Sequence, residues 1–196
     1  MANSLQLIAS ILLLKAGLVE SEETRFHLND AHERIMSIAT VQRQLDPGGI
    51  GEEIVVAKYL TALCESLAHS MVGGRKPITI RVEAGAGTVS SESAISFGLL
   101  TTELVINAIK HAFPHNRPGI VTVTFAETDE GWTLSVADDG VGQDGGAGDA
   151  RQGLGTSIVT ALANQLHART ETESGAHGTK VSFIYRDPHQ YSSVSA

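Results

Sequence analysis

The sequence predicts an α+β fold in two parts, a helical hairpin followed by an α/β sandwich. In the first part, apolar side chains recur at helical spacing. The run Asp46–Gly49, with its proline and two glycines, then interrupts the pattern. Beyond it, helical stretches alternate with short runs typical of strands, as in a sheet covered by helices. We therefore expect a hairpin domain over residues 1–48, a second domain over 49–188 and a loose tail over 189–196.

Length, composition and charge bound the possible functions. The chain has 196 residues, which at ~150 residues per domain allows one domain or a small pair. With 42% hydrophobic and 18% charged residues, it is globular rather than disordered or fibrous. The 14 basic and 22 acidic residues give a net charge of 14 − 22 = −8. We therefore expect no nucleic-acid partner, and any phosphate group would need a local site.

Cysteine content and hydropathy indicate the compartment. The single cysteine, Cys64, excludes an intramolecular disulfide and a cysteine-based metal site, so a cytoplasmic location is expected. The most apolar run, Leu7–Leu14, is much shorter than the ~20 residues that cross a bilayer. No cationic segment precedes this run, so we expect neither a membrane span nor a signal peptide in the chain.

Two helices are expected in the hairpin. In the first, leucines and an isoleucine recur at helical spacing from Leu7 to Leu18. Ser21, followed by two glutamates, is expected to cap the second helix, whose apolar stripe runs over Ile35–Leu45. Two such helices leave an apolar face that must be buried. Either a second copy, forming a four-helix bundle, or the rest of the chain would cover it.

The second domain is expected to contain three helices and five strands. Helical spacing predicts helices over Ile54–Met71, over Ser91–Phe113 and from Gly153 to about His167. Strand patterns cover Pro77–Val82, Ile120–Glu127, Trp132–Ala137, Arg169–Glu173 and Thr179–Tyr185. Pro114 ends the long helix, and the turn Asp129–Gly131 joins the two central strands.

The long helix carries a stripe of polar residues. Glu103, Asn107 and Lys110 follow one another at spacings of four and three, so they share one face beside an apolar one. A solvent-exposed helix face would also contain such residues. The apolar neighbours of Asn107, however, require a bonded partner for its amide. We therefore expect this stripe to line a cleft.

A second group of polar residues follows a predicted strand directly. The run Asp138–Gly142 has the sequence Asp-Asp-Gly-Val-Gly, and turns favour Asp and Gly. A carboxylate at a strand end can also accept a hydrogen bond from an exocyclic amine such as that of adenine. Gly140 and Gly142 would then let the backbone approach a flat ligand. On this segment alone, a turn and a ligand site both remain open.

Glycines also mark the entry to the next helix. The run Gly153–Gly155 leads into a helix whose first backbone amides would suit a phosphate chain, although ordinary capping is an alternative. Gly145, Gly146 and Gly148 precede it and indicate either a movable lid or a surface loop. Thr179, at the start of the last strand, could add a hydroxyl to the contact made by Asp138.

The order of these motifs resembles the ATP-binding domain of histidine kinases, the Bergerat fold shared with DNA gyrase, the Hsp90 chaperones and MutL. The segment Glu103–His111 is similar to the N box, Asp138–Gly142 to the G1 box and Gly153–Gly155 to the G2 box. The resemblance covers roughly Glu52–Arg186. The opening, Asn3–Ser10, is similar to the dimerisation helix of histidine kinase subgroup 2. The W-x-E motif of the neighbouring HWE kinases is not in the sequence.

The resemblance implies a role for each residue of the polar stripe. Asn107 would bind a Mg²⁺ ion that bridges the ATP phosphates, and Glu103 would orient the metal's water or act as a base. Lys110 and His111 would reach the phosphates. Mg²⁺ prefers few protein ligands and several waters, so one amide oxygen together with phosphates is a suitable set.

The resemblance also implies how the nucleotide is held. Asp138, with help from Thr179, would bind the adenine amine. The remaining ATP contacts would come from the glycine boxes, namely Gly140, Gly142, Gly153, Leu154 and Gly155.

The function implied is that of a histidine kinase core, which moves the γ-phosphoryl group of ATP to a histidine and then to an aspartate of a response regulator. The hairpin would form a homodimer. Alternatives are a non-catalytic dimeric docking or phosphotransfer module with a vestigial ATP fold, and an anti-sigma-factor Ser/Thr kinase. The presence of Glu103, Asn107 and Asp138 favours a histidine kinase over a vestigial ATP fold. An anti-sigma-factor kinase would not explain the hairpin.

The position of the phospho-acceptor histidine is a separate expectation. In the family it lies in an H-R-V-K-N-like segment, and aligning Asn3-Ser4 with the N-N pair places the histidine just upstream of Met1. We therefore expect the hairpin to be truncated at its start and the chain to contain no acceptor. An internal substitute among His27, His32 and His69 remains an alternative, with His32 the most exposed by pattern.

Overall fold

The computed structural model describes residues 2–19, 21–45, 53–72, 77–142 and 154–187. The chain separates into two compact units, Met1–Ile50 and Gly51–Ala196. The three lid glycines, Gly153 and the tail over 189–196 lie outside the described residues.

Two helices that pack against each other form the first unit: α1 (Ala2–Leu18) and α2 (Glu22–Leu45). The Ser21 hydroxyl accepts a hydrogen bond from the Thr24 N–H at 3.2 Å, so Ser21 caps α2 as expected. Glu22 and Glu23 lie in the first turn of α2, where their negative charge interacts favourably with the helix dipole. Three alanines, Ala9, Ala16 and Ala39, are buried in this unit.

A polar contact crosses between the two helices at His32. Its Nδ1 lies 2.8 Å from the Ala9 carbonyl oxygen, and the imidazole is half-buried. The expectation that His32 is the most exposed of the three helical histidines is therefore wrong, because His27 and His69 are exposed.

The described part of the second unit contains three α-helices and two sheets. The helices are α3 (Val56–Leu67), α4 (Ser91–His111) and α5 (Leu154–Gln165), and a π-helical turn, Ala68–Val72, continues α3. The small sheet pairs β1 (Ile54–Val55) with β3 (Thr88–Val89). The large sheet contains β2 (Ile78–Ala84), β4 (Gly119–Thr128), β5 (Gly131–Asp138), β6 (Arg169–Gly175) and β7 (Gly178–Arg186). Its order is β2-β4-β5-β7-β6, with β2 parallel to β4 and the other neighbours antiparallel.

This architecture confirms the predicted α+β class, a helical hairpin followed by a mixed sheet with helices. Two details differ. The helix expected from Ile54 begins at Val56, because Ile54–Val55 pairs with Thr88–Val89. Strands of two residues are too short to show alternation in the sequence.

The core of the second unit lies between the large sheet and α4. On β4, Val121, Val123 and Phe125 are buried, while the residues between them are half-buried. Their register partners Leu134 and Val136 on β5 are buried as well. Helix α4 contacts both strands. The large sheet therefore buries one apolar set of side chains against the helix.

Helix α4 is central to this core. Ser90 caps its first turn by accepting a hydrogen bond from the Ser93 N–H at 3.2 Å. It is also the one helix, among the described residues, that is long and apolar enough to cross a membrane. About two thirds of that apolar stretch, 67%, is buried inside the fold. Such burial is typical of the core helix of a globular domain.

Burial also changes the ionisation of two side chains on α3. It raises the pKa of the Cys64 thiol to about 12. Burial, with a smaller contribution from Cys64, raises the pKa of the Tyr59 phenol far above its ordinary value. Both groups are therefore protonated at neutral pH, and Cys64 has the low thiolate fraction of an unreactive structural cysteine.

Candidate functional site

The C-terminal half of α4 carries the predicted polar stripe from the core to the surface. Glu103 is buried, with 8% of its surface exposed, and Asn107 is half-buried. Lys110 and His111, in the last turn, are exposed. Because this helix is central to the core, the backbone beneath these side chains is firmly placed. The stripe thus presents a carboxylate, an amide and two basic groups in increasing order of exposure.

The carboxylate of Asp138 is held by backbone N–H groups at the end of β5. Its Oδ1 accepts hydrogen bonds from Gly140 at 2.9 Å and from Thr179 at 3.3 Å. Its Oδ2 accepts none from the part of the chain that the structure describes. Asp138 is half-buried, and with respect to the described residues one oxygen is held by two donors while the other can still accept.

Thr179 contributes to this arrangement in a way that the sequence did not predict. It pairs with Asp138 in the β5–β7 register, so the structure does bring the two residues together. Its contact with the carboxylate is made by the backbone N–H, however, and its hydroxyl lies 2.8 Å from the Ser174 hydroxyl of β6. Strand register determines which group faces Asp138, and register is not visible in a single segment of sequence.

Glycines occupy the positions where the backbone segments around Asp138 approach most closely. A Cβ on Gly140 would overlap with the carbonyl of Ala112. A Cβ on Gly178, whose φ is +111°, would overlap with the carbonyl of Asp138. Gly142, with φ +63°, approaches Gly175 in the same way. Larger residues would therefore push apart the strands and the loop that shape this end of the sheet.

The loop after β5 contacts the end of α4. The Val141 N–H donates to the Ala112 carbonyl at 3.0 Å, and Ala112 directly follows Lys110 and His111. Gly140 packs on the same residue. The structure thereby joins the basic end of α4 to the loop that follows Asp138.

The predicted glycine box before α5 is only partly within the described residues. Leu154 and Gly155 form the start of α5, and this helix contacts α4. Gly153 lies outside the described residues. In an α-helix the first backbone N–H groups have no partner within the helix itself, and this applies to the first turn of α5.

Two further residues of this region had no recognised signal in the sequence. The Asp139 carboxylate accepts a hydrogen bond from the Ile120 N–H at 2.7 Å. The Arg117 guanidinium donates to the Asp139 carbonyl at 3.2 Å. An Asp-Asp-Gly run reads as a turn, and nothing in it distinguishes which carboxylate faces which strand.

Comparison with known families decides what kind of protein carries this arrangement. Residues 1–71 match the family described as histidine kinase, and residues 78–185 match the histidine kinase-like ATPase domain. The chain belongs to the histidine kinase family. The resemblance found in the sequence is thereby confirmed, and a domain of this ATPase type implies the use of ATP.

Two curated relatives are similar over most of the chain. Blue-light-activated histidine kinase 2 of Erythrobacter litoralis is 26% identical over 185 residues, which cover 91% of this chain and 52% of the relative. Sensor histidine kinase PdtaS of Mycobacterium tuberculosis is 31% identical over 165 residues, which cover 83% of this chain and 32% of the relative. The chain therefore spans about half of the first relative and about a third of the second.

Solved structures show the same fold. The histidine kinase domain of an Erythrobacter litoralis blue-light-activated histidine kinase matches with a TM-score of 0.69 at 23% identity, covering 92% of this chain and 94% of that one. A second structure of such a kinase from that organism matches with a TM-score of 0.65 at 26% identity, covering 79% of this chain and 53% of the other. The two-part architecture is thus that of histidine kinases.

The packing at Gly178 leads to a prediction for stability. Gly178→Ala should lower the free energy of unfolding by about 2 kcal/mol or more, because alanine is strained at positive φ and its Cβ would meet the Asp138 carbonyl. Urea unfolding measures this change. Gly175→Ala is the matched control, since a Cβ there has open space, and its effect should stay within about 0.5 kcal/mol. Equal effects of the two substitutions would contradict the described packing.

Proposed function

We propose that the chain is the dimerisation and catalytic core of a two-component sensor kinase. In this role it binds ATP with Mg²⁺, transfers the γ-phosphoryl group to a histidine and passes it to an aspartate of a response regulator. The observation that carries the proposal is the carboxylate of Asp138, with Oδ1 bound to two backbone N–H groups and Oδ2 available beside a loop in contact with the basic end of α4. Membership of the family supports it.

The geometry at Asp138 suits adenine. Its Oδ2 is an acceptor, and the exocyclic amine of adenine is a donor. Guanine presents a carbonyl at the same position of the ring, so a carboxylate there would repel it. Gly140 and Gly142 carry no side chains that would obstruct a flat base. We therefore propose that Asp138 selects ATP over GTP.

The stripe on α4 suits the phosphate end of the nucleotide. Asn107 offers an amide oxygen and Glu103 a carboxylate, which are ligand types that Mg²⁺ accepts, directly or through water. When bound, the metal neutralises charge on the phosphates. In the proposed site, Asn107 binds the metal, Glu103 orients a water or accepts a proton, and Lys110 and His111 contact the phosphates. Leu154 and Gly155 offer the backbone amides of the α5 N-terminus to the phosphates.

The net charge of −8 makes this local arrangement necessary. An acidic surface repels a nucleotide at long range, so affinity must come from short-range partners. Phosphoryl transfer needs accurate positioning and charge neutralisation more than covalent chemistry by the protein. The buried segment of α4 around Glu103 supplies the rigidity, and its exposed last turn supplies positive charge.

The first unit suits a homodimer. Four large apolar side chains of α1 are exposed although α1 packs against α2, namely Ile11 at 48%, Leu13 at 52%, Leu14 at 70% and Leu18 at 78%. Burying such side chains releases about 1.5–3 kcal/mol each. We propose that a second copy covers this face in a four-helix bundle. The partner of that bundle is a response-regulator receiver domain, and we place the protein in the cytoplasm.

The proposed metal site leads to a prediction for nucleotide binding. Asn107→Ala should abolish calorimetrically detectable binding of Mg²⁺-ATP, because the amide oxygen that binds the metal is lost. Cooperative unfolding should persist, since the side chain is only half-buried. EDTA should weaken binding by the unsubstituted chain for the same reason.

Asn164→Ala is the matched control for this experiment. Asn164 is exposed on α5, so its loss should leave ATP affinity unchanged. Wild-type ATP affinity in folded Asn107→Ala would contradict the site.

Phosphoryl transfer leads to a second prediction. With γ-labelled ATP, the chain extended upstream by a His-Arg-Val segment should acquire acid-labile, base-stable label, as expected for phosphohistidine. Asn107→Ala in the extended chain should abolish the label. Equal labelling without the extension would show an internal acceptor. An extended chain that binds ATP but never becomes labelled would contradict the kinase proposal.

A further inference from the structure

The end of β5 is attached to both neighbouring strands through two consecutive carboxylates. Asp138 accepts a hydrogen bond from the Thr179 N–H of β7 at 3.3 Å. Asp139 accepts one from the Ile120 N–H of β4 at 2.7 Å. The Asp139 N–H also donates to the Ile120 carbonyl at 3.2 Å. The two carboxylates therefore fasten opposite sides of the same strand end.

Arg117 adds a third attachment on the β4 side. Its guanidinium donates to the Asp139 carbonyl at 3.2 Å. It follows a short turn, Pro114–Asn116, in which His115 and Asn116 have φ angles of +55° and +61°. Such angles are uncommon for residues other than glycine and persist where the surrounding structure requires them. Here the turn leads the chain from the end of α4 back to the loop after β5.

We propose that Arg117 and Asp139 are positioning residues for Asp138. Together with the Ile120 N–H they form a clamp, called the Asp139 clamp below, that fixes the start of the loop after β5. The proposal rests on the proposed function, in which Oδ2 of Asp138 accepts from the adenine amine. Without the clamp, the β4 side of the strand end keeps only its backbone pairing with β4, and the Asp138 carboxylate is held less firmly in its direction toward the base.

Base selectivity distinguishes this role from a merely structural one. A general loss of stability would weaken the binding of ATP and of GTP equally. A change in net charge near the phosphates would also affect the two affinities equally. A change in the direction of the Asp138 carboxylate affects only the contact with the base. The ratio of the dissociation constants for GTP and ATP is therefore the quantity that reports on the clamp.

The test is calorimetric titration of the full chain with Mg²⁺-ATP and with Mg²⁺-GTP. Asp139→Ala should lower the GTP/ATP ratio of dissociation constants about tenfold, the order of one lost hydrogen bond to a charged group. Asp139→Asn should keep the ratio within about twofold, because its amide oxygen still accepts from the Ile120 N–H. Arg117→Ala, at an exposed residue, should lower the ratio about threefold.

Asp138→Asn is the reference for the adenine contact. If its oxygen keeps the two backbone donors, its NH₂ replaces the acceptor that faces the base, and the preference for ATP should be lost. A folded Asp139→Ala chain with an unchanged ratio overturns the clamp while the adenine site stands. If Asp139→Ala does not fold, an unchanged ratio in Arg117→Ala overturns it. A chain that does not bind ATP, or an Asp138→Asn chain with the original ratio, overturns the proposed function and the clamp with it.

Discussion

The proposed site of the second unit is constrained by the hydrogen bonds that hold the Asp138 carboxylate at the end of β5. A carboxylate that accepts from backbone N–H groups cannot rotate freely, so its second oxygen has a defined direction. The two donors belong to Gly140, in the following loop, and to Thr179, on the neighbouring strand. The Asp138 carboxylate therefore connects the end of β5 with the following loop and with the neighbouring strand.

This constraint explains the distribution of glycines around the site. Gly140 is in contact with Ala112, and Gly178 is in contact with the Asp138 carbonyl. A side chain on Gly140 would separate the loop from the end of α4, and one on Gly178 would separate β7 from the end of β5. The contact at Ala112 also places the last turn of α4 beside the loop, so the basic residues and the carboxylate belong to one framework.

Much of this fold is predictable because it depends on local patterns. Apolar spacing predicts α1 and α4, and the Ser21 cap follows from residue type and position. Features that depend on pairing between distant segments are not predictable in the same way. The strand Ile54–Val55 forms only because Thr88–Val89 lies beside it. His32 is drawn inward by a carbonyl of another helix.

The same distinction, between local patterns and pairing of distant segments, applies to the residues of the site. The polar stripe and the Asp-x-Gly-x-Gly run are visible as residue types at fixed spacings, and the family resemblance implies that Thr179 lies near Asp138. The backbone contact of Thr179 and the link between Asp139 and Ile120 depend on register and on the path of the loop after α4. Such contacts are decided by three-dimensional packing, which the sequence specifies only as a whole.

The central claim is that the Asp138 carboxylate binds adenine through Oδ2, the oxygen that accepts no hydrogen bond from the described residues. Its most direct test is an experimental structure of the chain with Mg²⁺ and a non-hydrolysable ATP analogue. The account predicts the adenine amine within hydrogen-bonding distance of Asp138 Oδ2, with Oδ1 still bound to the N–H groups of Gly140 and Thr179. An adenine bound elsewhere, or an Asp138 carboxylate released from both N–H groups, would contradict it.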